Sequence, residues 1–237
     1  MKLKTLPFFL VIVIFCCFIR QKNHVVQVDV SSLLNGRPVT TLTNGKLISW
    51  TKGIDGSGNG DGFLTRLAAE FNGDINAHAL PDNPVYPANE QHPEIMLHYS
   101  NTDSIHDQTA NMAGTGEFLI KIPKDRYSAI YLGLTSAEGP SELQFNLVYT
   151  NGTATKNYLL PDYYNSPSEK TPNLSCVVSD LAKWAKMNKM PANEKSHHNI
   201  HLLKLDVDPA RKLTAIKLIK KIKESYLLLW SATGVTN

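Results

Sequence analysis

Between Gly53 and Gly62 the chain reads Gly-Ile-Asp-Gly-Ser-Gly-Asn-Gly-Asp-Gly, so oxygen-bearing side chains alternate with glycine. Glycines let a loop curl until side-chain and carbonyl oxygens converge on one point, as a hard cation such as calcium requires. Asp55, Ser57, Asn59 and Asp61 are the candidate metal ligands. A helical EF-hand is not expected, because Arg66 stands where the bidentate Glu belongs and Phe63 to Ala69 reads as a strand. With two carboxylates a calcium site here would be weak. The same residues also suit a flexible connection of turn-favouring Asp and Asn, and both readings stay open.

Aromatic side chains on loops can stack on the apolar face of a sugar ring. Trp50 ends the strand just before the glycine-rich loop, and Tyr163 and Tyr164 follow Pro161-Asp162 in a predicted loop. Asn101 and Asp103 lie beyond the strand that contains His98 and offer hydrogen bonds to hydroxyls. These five are the candidate ligand-binding residues, although a tryptophan at a strand end also suits core packing.

Catalytic patterns are missing. His197 and His201 would share a strand face but lie about 13 Å apart at roughly 3.3 Å per residue, too far for one zinc ion. No nucleophile elbow, zinc-protease helix or phosphate-cradling loop occurs. Glu90, Glu94 and Glu138 are available for glycoside cleavage, which needs two carboxylates paired in space. Cys176 reads as a buried thiol.

The elements that must hold these residues are strands. Apolar and polar residues alternate over Val25 to Val30, Lys46 to Trp50, Glu94 to Tyr99, Glu117 to Ile122, Tyr127 to Thr135, Glu142 to Thr150 and Ala154 to Leu160. The same pattern covers Ile200 to Val207, Leu213 to Ile222 and Tyr226 to Ala232. Phe118, Ile120 and Ile122 share one face, as do Leu143, Phe145, Leu147 and Tyr149. Asn44-Gly45, Asn72-Gly73, Asn151-Gly152 and Asp208-Pro209 supply the reversals. Many short strands between such turns predict an all-β sandwich. Leu174 to Met187 breaks the pattern, with Val177, Val178, Leu181, Trp184 and Ala185 at helical spacing, and predicts one amphipathic helix across an edge.

Residues 1 to 20 place Lys2 and Lys4 before an apolar run from Leu6 to Ile19, the plan of a signal peptide, and the run is short for a bilayer span. Residues 24 to 237 then form a single sandwich domain, secreted or at the cell surface. Contact with a membrane is expected only through the leader, if it stays uncleaved or carries lipid on a cysteine. Lys2, Lys4 and Arg20 match the whole chain's +3, so the mature domain is near neutral and nucleic acid is not an expected partner. Cys176 alone remains after the leader, which leaves no internal disulfide.

Two stretches carry a family likeness. Leu147-Val-Tyr-Thr-Asn-Gly-Thr153, followed by Tyr158-Leu-Leu-Pro-Asp-Tyr163, resembles the strand, turn, strand and Pro-Asp-aromatic unit of galactose-binding-like jelly rolls. Leu205 to Leu218, then Leu228-Leu-Trp-Ser-Ala232, is similar to their closing hairpin and last strand. The likeness covers roughly the second half of the chain. It implies a jelly-roll sandwich that binds sugars through loops at one end, frequently beside structural calcium. The expectation is therefore a non-catalytic module for a polysaccharide or glycan. A protein-interaction domain or a polysaccharide-acting enzyme are the alternatives.

Overall fold

The computed structural model describes residues 24–55, 61–75, 78–168, 170–185 and 197–236. The proposed leader, Ser57 and Asn59 lie outside them. Two antiparallel sheets dominate. The larger joins β1 (His24–Gln27), β15 (Tyr226–Thr236), β9 (Tyr127–Ala137), β13 (His198–Asp206) and β12 (Leu174–Leu181) in that order, with β7 (Ala110–Ala113) also paired to β15. The smaller runs β11 (Gly152–Leu160), β10 (Ser141–Tyr149), β14 (Leu213–Lys220), β8 (Gly116–Asp125). Both are all antiparallel, as alternating sequence predicts. Pairing is nested along the chain: β7 meets β15, β8 meets β14, and β9 meets β13.

Period-two alternation places Phe118, Ile120, Ile122, Leu143, Phe145, Leu147 and Tyr149 on the inner face of the smaller sheet, as expected from sequence. They meet Ile130, Leu132, Leu134, Leu203, Leu205, Leu227 and Leu229 of the larger one. A bulge between Leu229 and Ser231 then reverses the phase of β15, so that Ala232 takes the inward role. The extra residue, Trp230, turns to the opposite face, where its indole N–H donates to Thr135 Oγ1 (2.8 Å).

The larger sheet is buried on that second face too. Ile200, Leu202, Tyr226, Leu228 and Trp230 pack under Val39, Ile54, Phe63, Leu80, Ile95, Leu97 and Tyr99. These come from a cover of short elements: β2 (Val39–Thr43), β3 (Lys46–Ile48), β4 (Phe63–Leu64), α1 (Arg66–Phe71), β5 (Val85–Tyr86) and β6 (Ile95–Met96). β15 is buried almost throughout, and burial on both faces explains why Tyr226 to Trp230 form an unbroken apolar run.

Two local expectations are corrected. The amphipathic helix over Leu174 to Met187 is instead strand β12 as far as Leu181, and 186–187 lie outside the described residues. Its register slips between Cys176 and Val178 and again between Val178 and Leu181, with Asp180 left-handed at φ 57°. Each slip shifts the side-chain phase, so buried apolar residues recur at spacings that imitate a helix. The strand expected over Phe63 to Ala69 stops at Leu64. Thr65 then caps α1 by accepting from Ala68 N–H (3.3 Å), and Leu67-Ala68-Ala69-Glu70 are strong helix formers.

Candidate functional site

Four of the nine residues singled out in the sequence meet at one place. Asp55 and Asp61 face each other across the glycine-rich loop, and Asp61 N–H donates to Asp55 Oδ1 (2.7 Å). Lys183, just after β12, inserts its ammonium between them, 3.5 Å from Asp55 Oδ2 and 3.0 Å from Asp61 Oδ2. The same Nζ donates to the Tyr163 hydroxyl (3.3 Å). Tyr163 is buried, and Tyr164, 49% exposed, lies over it with ring centroids 4.6 Å apart. His198 touches both rings, at 4.8 and 4.7 Å, and its Nδ1–H donates to the Leu181 carbonyl (2.8 Å).

Protonation follows from these contacts. Burial and the like charge of Asp61 push the Asp55 carboxyl up, and Lys183 offsets only part of that. Burial works against the Lys183 ammonium, but Tyr163, Asp61 and Tyr164 outweigh it and hold the amine above its usual range. Burial drives His198 down to about 4. The arrangement is one cation shared by two carboxylates. Calcium bound to those same oxygens at about 2.3–2.6 Å would have to displace the Lys183 ammonium, and Ser57 and Asn59 of the expected ligand set lie outside the described residues. Asp55 and Asp61, as described, share the Lys183 ammonium group.

Asp162 fixes the tyrosine loop. Its Oδ2 accepts from Gly139 N–H (2.6 Å) and its Oδ1 from Tyr164 N–H (2.9 Å). The other candidates sit elsewhere and carry structural bonds. Trp50 packs half-buried against Leu64, Ala68 and Trp184, with its ring over Gly62. Asn101 Oδ1 accepts from Leu42 N–H (3.1 Å) and Thr65 Oγ1 (2.9 Å), and its Nδ2 donates to Asp82 (2.8 Å). Asp103 Oδ1 accepts from the N–H groups of Ile105 (3.0 Å) and His106 (3.2 Å).

A second feature was not singled out in the sequence. Beyond the edge of the cover, the second face of the larger sheet forms an open groove of about 530 Å³. Tyr131 of β9 and Lys204 of β13 are direct cross-strand partners in its floor. Gln91, Ser166, Asn173 and Ser175 line it with amides and hydroxyls. Asn173, left-handed at φ 63°, turns the chain into β12, and its carbonyl accepts from Lys204 N–H (2.8 Å). Cys176 also borders the groove, but burial pushes its thiol up to about 11, which makes it a poor nucleophile. Ser166 is two residues beyond Tyr164, so the exposed ring stands at most about 8 Å of backbone from the groove. The sequence signal was Lys204, a charge interrupting the apolar run of β13 where the cover ends.

A scan against protein-family models finds no match, and comparison with curated proteins finds none either.

Proposed function

We propose that this protein is a secreted or surface-associated glycan-binding sandwich that holds its ligand without cleaving it. The observation that carries this reading is the groove, a concave surface of mixed polar and apolar lining with one aromatic floor residue, Tyr131, and amide and hydroxyl groups around it. A sugar presents an apolar ring face and a rim of hydroxyls, and that chemistry matches such a lining. Tyr164 adds a stacking surface at one end. The nested pairing of β7 with β15, β8 with β14 and β9 with β13 supports a jelly-roll topology, with β1 and β12 as additions. In this reading calcium is not required, because Lys183 supplies the positive charge between Asp55 and Asp61.

One observation favours a second reading, a protein-interaction domain. Leu67 and Phe71 project from one side of α1, and Phe71 is 59% exposed, with the exposed Ile75 following. Large exposed apolar side chains grouped in this way mark contact surfaces.

Affinity electrophoresis through gels containing neutral and acidic polysaccharides tests the glycan reading, using the wild type and Ser175→Trp, which fills the groove. Retardation by at least one polysaccharide, lost in the variant with circular dichroism unchanged, is expected. Failure of every polysaccharide to retard the wild type overturns the reading. Retardation that survives in Ser175→Trp removes the groove from it.

A further inference from the structure

We infer that the groove selects acidic sugars, with the Lys204 ammonium as counter-ion for a uronate carboxylate. The inference rests on the glycan reading and specifies its ligand class.

Lys204 lies between Leu203 and Leu205, which both point into the sandwich core, so alternation directs it to the opposite face with Leu202. It is the only formally charged residue among the described residues that line the groove. Three other lysines that are not fully exposed have their charge met by the protein. Lys183 is shared by Asp55 and Asp61, Lys217 pairs with Glu117 (3.1 Å), and Lys220 donates to the carbonyls of Gly114 (2.8 Å) and Ile222 (2.6 Å). The Lys204 amine has no hydrogen bond or ion pair among the described residues. Asp206, two positions along β13, is engaged by Asn173 Nδ2 (3.2 Å). A bound carboxylate therefore belongs on the Ser175 side of Lys204, away from Asp206.

The pairing with Tyr131 supplies the rest of the recognition. Directly opposed residues on antiparallel strands hold their Cβ atoms about 4.5–5.5 Å apart. A pyranose ring stacked on Tyr131 would present an equatorial substituent to Lys204, and a carboxylate there gains a charge-assisted hydrogen bond that a hydroxymethyl group cannot. Such bonds are roughly twice as strong as neutral ones, enough for about ten-fold discrimination. Because the sandwich domain is near neutral overall, this preference is local to the groove.

Calorimetric titration with oligogalacturonate and oligomannuronate, each beside its carboxyl-reduced counterpart, tests the inference. At least one uronate should bind roughly ten-fold more tightly than its reduced form. Lys204→Gln should abolish that difference and leave the reduced sugar within about two-fold, while Lys204→Arg retains most of it. Lys124→Gln, an exposed charge on β8, should change nothing. Equal binding of acidic and reduced sugars, binding of neutral glycans alone, or insensitivity to Lys204→Gln overturns the acidic preference and leaves the glycan reading standing. Equal weakening by Lys124→Gln also overturns it, by showing diffuse attraction. Absence of binding to these sugars, together with no retardation by any polysaccharide, sinks both.

Discussion

At the scale of single residues, Lys183 joins Asp55 and Asp61 at the two ends of the glycine-rich run. Its alternating oxygens were readable as a cation-seeking loop, and Asp55 and Asp61 do converge on a positive charge. The identity of that charge was not readable, because Lys183 lies 128 residues from Asp55 in sequence and only the path of β12 joins them. Removing one partner of a low-exposure ion pair leaves the others uncompensated. Lys183→Met should therefore cost about 2–4 kcal/mol in urea unfolding. Asp55→Asn should cost less than about 1 kcal/mol, since burial and Asp61 already oppose its charge and Asn Oδ1 can still accept from Asp61 N–H. Calcium or a chelator should leave the melting temperature of the wild type unchanged; a rise with calcium would show that the metal displaces Lys183.

His198 makes stability depend on pH. Its folded pKa, about 4, lies below the unfolded value of about 6.5, so the unfolded chain binds the proton first as pH falls. Stability from this group is complete above pH about 6.5 and is lost as pH falls from there to about 4. Allowing for solvent screening, the loss is about 2 kcal/mol. His198→Gln should shrink the difference in unfolding free energy between pH 7 and pH 4.5. A remnant should persist from His201, which burial also pushes down.

At the scale of elements, alternation was a reliable guide where strands are regular and misleading where they bulge. The inward residues of β8 and β10 fall where the pattern puts them. The slips in β12 produced a false helical period, and the six residues of α1 were hidden inside an apparent strand whose Thr65 cap was the overlooked signal. Buried junctions between elements were also silent in the sequence. Lys220, the last residue of β14, is 1% exposed and ties the turn before β8 to the turn after β14 through two carbonyls. Lys220→Met should leave both carbonyls unpaired and lower stability by about 2–3 kcal/mol, measured by thermal unfolding. At Gly62 an added Cβ would fall 2.6 Å from the Trp50 ring and 2.8 Å from the Pro38 carbonyl oxygen. Gly62→Ala should cost about 1–3 kcal/mol by displacing Trp50 from the cover.

At the scale of the whole molecule, the two-sheet sandwich was legible because its core repeats every second residue along long strands. The cover over the second face was not, since its short strands and loops have no period of their own and are held by tertiary contacts such as Val39, Ile54 and Phe63 on Trp230. The groove lies where that cover ends, beside Tyr131 and Lys204, and the one sign of that boundary in the sequence is the Lys204 charge within the apolar run of β13. Loop aromatics were therefore a partial guide: Tyr164 stays at the surface, whereas Trp50 and Tyr163 are drawn into packing.

The central claim is that a sugar occupies this groove, and amide chemical-shift mapping during titration with a retarding oligosaccharide tests it most directly. The account predicts saturable shifts concentrated at Tyr131, Ser175 and Lys204, with a smaller set at Tyr164. Shifts confined to the exposed face of the smaller sheet or to α1, or no shifts at saturating sugar, would contradict it.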